Sequence, residues 1–98
     1  MTEDKYRDEQ ALVLRDQERT FVDIAHSLNV DGGRSAHAAF IRALRRHPLA
    51  ERAQMRSREM MRLDAFNTRL RGRDDLSVEE IARRLRGLKH DRKILFEA

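Results

Sequence analysis

A single proline, Pro48, stands between two stretches in which apolar residues recur at steps of three and four. That spacing describes amphipathic helices. The residue before a proline avoids the α region, so the helix that runs into "ALRRH" has to stop there. The fold class that follows is all-α. A three-helix unit occupies residues 1–48, and a two-helix hairpin occupies residues 49–98. Gly72 and "RDDLS" interrupt the second stretch and supply the bend of the hairpin.

The first unit divides by its caps. Helix one is expected from about Lys5 to Gln17, with Tyr6, Leu12 and Val13 on its apolar side. Thr20 is a suitable N-cap for a helix from Phe21 to Leu28, where Phe21, Ile24, Ala25 and Leu28 follow an i, i+3, i+4, i+7 pattern. Asn29 tolerates the left-handed conformation that ends helices. Asp31 then caps a third helix reaching about Arg46, with Ala36, Ala39, Phe40, Ala43 and Leu44 on its inner face. In the second unit, helix four runs from about Leu49 to Leu70 and places Ala53, Met60, Leu63, Phe66 and Leu70 near one side. "SVEE" at Ser77–Glu80 is a capping box. It opens a fifth helix with Val78, Ile81, Leu85, Leu88 and Leu95 along a seam broken only by Arg92.

Charge narrows the functional classes. The net charge is +4, yet residues 1–48 carry eight Lys/Arg and eight Asp/Glu, so the surplus belongs to the second half. The useful detail is local. No acidic residue lies between Gly32 and Ala50, and Arg34, Arg42, Arg45 and Arg46 stand there with His37 and His47. Such a run suits a phosphate footprint. Cysteine is absent, and the four histidines share no metal-ligand spacing, so no metal site is expected. Asp74/Asp75 and Glu79/Glu80 sit in a loop and a helix start, where they complement a helix N-terminus better than they serve acid/base chemistry. Ser35 and Ser57 lack a recognisable base partner. The chain reads as non-enzymatic and cofactor-free. No apolar run reaches membrane-spanning length, and "MTEDKYRDEQ" is unlike a secretory signal, so a cytoplasmic location is expected.

"IAHSLNVDGGRSAHAAFIRALRR" poses the central question, because a glycine pair before a basic helix suits either a nucleotide or DNA. A phosphate-cradling loop needs G-x-x-x-x-G-K-[ST] after a strand. Here Gly32 and Gly33 are adjacent, no lysine follows, and the preceding segment is helical. Two helices joined by a tight turn fit better. In a helix-turn-helix the start of the second helix enters the major groove, while cations further along lie over phosphates. Thr20, Arg34, Ser35, His37, Arg42, Arg45 and Arg46 are the expected DNA-contacting residues. A solvated arginine-rich surface is the plainer alternative.

The stretches "FVDIAHSLNVDGGRSAHAAFIRALRR", "ERAQMRSREMMRLDAF" and "RRLRGLKHDRKIL" resemble the small helix-turn-helix proteins of actinobacterial phages and prophages, many of them assigned as small terminase subunits. Ile24, Ala25, Leu28, Arg42, Ala43, Leu44, Arg45 and Arg46 carry the first part of the likeness. Leu63, Asp64, Ala65 and Phe66 carry the second. The sequence departs from the pattern at Asn29, where glycine is usual, and at His37 and Ala38, commonly an aromatic residue and a lysine. The resemblance implies a packaging-initiation protein that binds double-stranded viral DNA in the host cytoplasm. It further implies a homo-oligomer, commonly a ring built on the central hairpin, and a large terminase subunit as the ATPase and nuclease partner.

Assembly is also suggested by the residues themselves. A chain of 98 residues with 39% charged and 5% aromatic residues builds a modest core, and self-association is a natural source of further burial. Met60, Leu63, Phe66, Leu70, Ile81, Leu85, Leu88 and Leu95 are the expected oligomerisation residues, giving more than two subunits. A dimeric helix-turn-helix transcription regulator and an adaptor for an acidic protein are the competing readings. The basic run of helix five fits a second nucleic-acid contact or a protein partner equally.

Overall fold

The computed structural model describes residues 3–98, which form five helices and, among the described residues, no strand. These are α1 (Glu3–Asp16), α2 (Phe21–Leu28), α3 (Gly33–Arg46), α4 (Leu49–Arg71) and α5 (Val78–Glu97). The chain divides into two compact units, Met1–Leu49 and Ala50–Ala98.

In the first unit α3 packs on both α1 and α2. Its inner face buries Ala36, Ala39, Phe40, Ala43 and Leu44, and Ile41 is buried as well. Ala25 of α2 is also buried, and such small residues let helices approach closely, while Phe40, Leu44 and Ile24 supply the bulk. Each of these large side chains contributes on the order of 1.5–3 kcal/mol by leaving water.

Helix α1 turns a different face inward than its apolar residues suggest. Asp8, Ala11 and Leu12 are buried, whereas Tyr6 is 60% exposed and Val13 46% exposed. The reason is electrostatic. Asp8 accepts Arg42 Nε and Nη2 at 3.1 and 3.0 Å, and Arg46 Nη1 at 2.8 Å. Burial pushes the Asp8 carboxyl up, but hydrogen bonds and charge from Arg42 and Arg46 outweigh it and hold the pKa below its ordinary 3.8. Beside this cluster His47 Nε2 lies 3.2 Å from Glu9 Oε2. The α1 C-terminus closes with Glu18 in the left-handed conformation (φ 65°), Arg19 N–H donating to Leu14 C=O and Glu18 N–H to Arg15 C=O. That is the Schellman pattern, made here without glycine.

In the second unit α4 and α5 run in opposite directions. Arg92 Nη2 donates to Asp64 Oδ1 at 2.7 Å and Arg52 Nη1 to Ala98 C=O at 3.3 Å, so partners fall along α5 as they rise along α4. Leu63, Leu70, Leu88 and Leu95 are buried within the single chain. The buried residues of α4 are Glu59, Leu63 and Leu70; Met60 and Asn67 are half-buried, and Phe66 is exposed. Glu59 reaches only 1% exposure because Arg62 Nη1, three residues on, donates to it at 3.1 Å. Phe66 is 39% exposed despite its place in the apolar pattern, Ala53 is exposed and Val78 is 80% exposed. The connecting loop holds a bidentate Arg73–Asp75 pair at 2.7 and 2.6 Å, and Ser77 caps α5 by accepting Glu80 N–H. No helix among the described residues is long and apolar enough to cross a membrane.

A carboxyl whose pKa falls on folding binds its proton more tightly in the unfolded chain. The stabilisation from Asp8 is therefore complete above about pH 4 and is lost as the pH drops through the lower folded-state value. Asp8→Asn is expected to cost about 2 kcal/mol at neutral pH, the scale of hydrogen bonds to charged groups. It should also flatten the acid-induced loss of stability. Denaturant melts followed by circular dichroism at neutral and acidic pH measure both effects, and equal pH dependence in the two proteins would contradict the assignment.

Candidate nucleic-acid interface

The α2–turn–α3 segment is built from the backbone upward. Thr20 takes an extended conformation and its Oγ1 accepts Asp23 N–H at 3.1 Å, which starts α2. Nine residues after Thr20, Asn29 enters the left-handed region (φ 53°, ψ 46°). Val30 N–H then donates to Ala25 C=O at 3.0 Å and Asn29 N–H to His26 C=O at 3.3 Å. This Schellman closure folds half-buried Val30 back toward the helix it follows.

The start of α3 differs from expectation. Asp31 does not cap it; Gly32 occupies the N-cap and supplies no side-chain hydrogen bond. Gly32 has φ 88° and ψ 172°, a region that only glycine enters readily. The bend there swings the chain so that Asp31 C=O instead accepts Ser35 Oγ at 3.0 Å. A Cβ on Gly33 would lie 3.3 Å from Val22 Cγ2, so the first turn of α3 passes close to the first turn of α2. No acidic residue stands in that first turn of α3. The positive end of the helix dipole and Arg34 are thus left together.

Six of the seven expected contact residues fall into three pairs. Arg34 and Arg45 are exposed, share one face of α3 with Ala38, and have no acidic partner among the described residues. Arg42 and Arg46 are committed to Asp8, though their side chains remain 53% and 37% exposed. The hydrogen bond to Asp8, offset in part by desolvation, raises the Arg42 pKa above its ordinary value. Thr20 and Ser35 are engaged in the local backbone, Thr20 as an acceptor and Ser35 as a donor.

His37 belongs to a cluster that the sequence pattern did not suggest. Its ring meets Phe21 edge-on with centroids 5.0 Å apart, and Phe21 in turn meets Phe40 at 5.6 Å. The Arg15 guanidinium lies 4.1 Å from the Phe21 ring centroid. Such a cation–π contact contributes about 0.5–1 kcal/mol at an exposed site. Arg15 Nη1 also donates to Arg19 C=O at 2.9 Å, and Arg19 Nη2 to Ser27 Oγ at 3.1 Å, so α1 is laced to α2 beside the cluster. The only sequence signal for it was the i, i+3 pair His37 and Phe40, one turn apart on α3.

The expected oligomerisation residues also separate. Leu63, Leu70, Leu88 and Leu95 are covered within one chain, Met60, Ile81 and Leu85 are half-buried, and Phe66 is exposed. No group of three or more potential metal ligands occurs among the described residues. Comparison with family models, with curated proteins and with solved structures yields no match.

The turn geometry makes a direct prediction. Gly32→Ala should cost about 1–3 kcal/mol of strain although nothing lies near its Cβ. Gly33→Ala should cost less, since its nearest contact is the movable side chain of Val22. Thermal melts of the two variants test that order, and equal stabilities would refute the role given to the Gly32 backbone.

Proposed function

We propose that the protein is a DNA-binding subunit in which α2 and α3 act as a helix-turn-helix, with α3 entering the major groove. The observation that carries the reading is the outer face of α3, where Arg34, just after a tightly closed turn, and Arg45, in the last turn of the helix, are exposed with no acidic partner among the described residues. Arg42 and Arg46 flank that face in fixed positions. An arginine already held by a carboxylate loses less freedom when it meets a phosphate, which favours their use as backbone clamps.

Within this class the likeness to phage small terminase subunits supports a role in starting DNA packaging. The chain would bind viral double-stranded DNA as a multi-subunit assembly and present it to a large ATPase–nuclease subunit. The basic surplus in residues 49–98 and the small first unit fit a protein that gains affinity by joining several weak contacts. The chemistry of packaging would belong to the partner, and this chain would contribute recognition and regulation in the host cytoplasm.

Binding to a duplex should weaken with salt, and Arg34→Ala/Arg45→Ala should lower the slope of log K against log[salt] by roughly 0.9 per lost phosphate contact. The two residues lie away from Asp8, so the double variant should keep wild-type stability. Fluorescence anisotropy over a salt series measures the slope. An unchanged slope and affinity would reject this face as the DNA surface. A change in the ATPase rate of a cognate large subunit on adding the protein supports the packaging role. DNA binding with no such effect would assign the protein to transcriptional regulation instead.

A further inference from the structure

The second unit carries an open groove of about 420 Å³ whose walls come from α4 and α5. Leu85 and Leu88 contribute its apolar surface, Arg71, Arg86, Lys89 and Arg92 contribute cations, and no carboxylate lines it. Arg92 is tied to Asp64 and Arg71 Nε donates to Asn67 Oδ1 at 3.2 Å, whereas Arg86 and Lys89 have no partner among the described residues. The space is far larger than one ion requires. A floor of leucine between cations suits a helix that offers apolar side chains flanked by acids.

The chain itself contains such a helix. On α1, Tyr6, Glu9, Val13 and Asp16 follow one another at i, i+3, i+7 and i+10, which is a single stripe along the helix. Asp8 fixes the opposite side of α1 inward, so Tyr6 and Val13 are left 60% and 46% exposed. Two apolar side chains alternate there with two carboxylates, the half-buried Glu9 beside His47 and the exposed Asp16, and the stripe complements two leucines bordered by cations.

We infer that the α4–α5 groove of one copy receives the outer stripe of α1 from a second copy. The contact joins two different surfaces, so it is heterologous and leaves a free groove and a free α1 at the ends of any dimer. Repetition closes into a ring or continues as an open chain, according to the rotation between copies. The inference rests on the multi-subunit part of the reading above and is independent of DNA binding.

Two variants expose the geometry. Tyr6→Lys/Val13→Lys removes the α1 stripe but keeps the groove, and Arg86→Glu/Lys89→Glu does the reverse. Both change exposed positions, and circular dichroism should show unaltered helix content. If either loses helix, Val13→Gln and Lys89→Gln replace them. In sedimentation velocity without DNA, the wild type should assemble progressively from low to high micromolar concentration, and less so at high salt. Each variant alone should associate about tenfold or more weakly, a difference read directly as a ratio of dissociation constants. A one-to-one mixture should recover a heterodimer, since each variant supplies the surface the other lacks.

A wild type that stays monomeric throughout would overturn both this inference and the multi-subunit reading. Wild-type assembly that both variants reproduce unchanged would overturn the α1–groove contact alone. Two monomeric variants whose mixture remains monomeric would also overturn it. Duplex DNA binding that weakens with Arg86→Glu/Lys89→Glu, in a protein that does not self-associate, would assign the groove to nucleic acid.

Discussion

A carboxylate only 1% exposed is tolerable in so small a protein because two guanidinium groups reach it from a neighbouring helix. Asp8 sits on α1, and Arg42 and Arg46, one turn apart on α3, both end on its oxygens. The arrangement is asymmetric in cost. Without Asp8 the half-exposed arginines can turn to water, whereas without both arginines the acid is stranded, a loss on the order of 3–5 kcal/mol. The same three residues fix geometry. Rotation of α3 about its axis would carry Arg42 and Arg46 away from the acid together, so the cluster sets which face of α3 meets solvent.

That constraint propagates in two directions. Along α3 it leaves Arg34, Ala38 and Arg45 outward and sends Ala36, Phe40 and Ala43 inward against α1 and α2. Along α1 it turns Asp8, Ala11 and Leu12 to the interior and leaves Tyr6 and Val13 exposed. One buried ion cluster therefore orients two of the proposed binding surfaces, the outer face of α3 and the outer stripe of α1. The turn between α2 and α3 supplies the remaining constraint, with Asn29 and Gly32 both at positive φ within four residues.

Helix boundaries were largely legible because they depend on local chemistry. Thr20, Asn29 and Ser77 act where their side chains suit a cap, and the inner face of α3 follows its 3.6-residue period. The errors arose where a polar residue took a buried place. Asp8 displaced Tyr6 and Val13 from the expected core of α1, and Glu59, paired with Arg62, took a buried place on α4 that the apolar pattern did not mark. A pattern of apolar residues cannot show such sites, since the partners that make an acid buriable can lie far off in sequence, as Arg42 does from Asp8. Asp31 failed as a cap for a different reason: Gly32 could adopt a backbone closed to other residues, and the helix began one position later. At the candidate site, the basic run falls on α3, but its pattern could not separate Arg42 and Arg46, held by Asp8, from Arg34 and Arg45, which have no acidic partner among the described residues.

The distinction between those pairs matters for how such a surface would recognise DNA. Arg34, on the first turn of α3, is long, exposed and near the positive end of the helix, so it can follow base edges or a phosphate as the duplex presents them. Arg42 and Arg46 sit in the later turns with part of each guanidinium already committed, which limits where their remaining donors can point. A held arginine is poor at adapting but loses little entropy on contact, the property required of a group that sets register against an invariant backbone. A free arginine pays that entropy and in return can choose among partners. The buried acid of α1 thus divides one basic helix into a part suited to positioning and a part suited to reading, and it does so without contributing a single atom to the outer face.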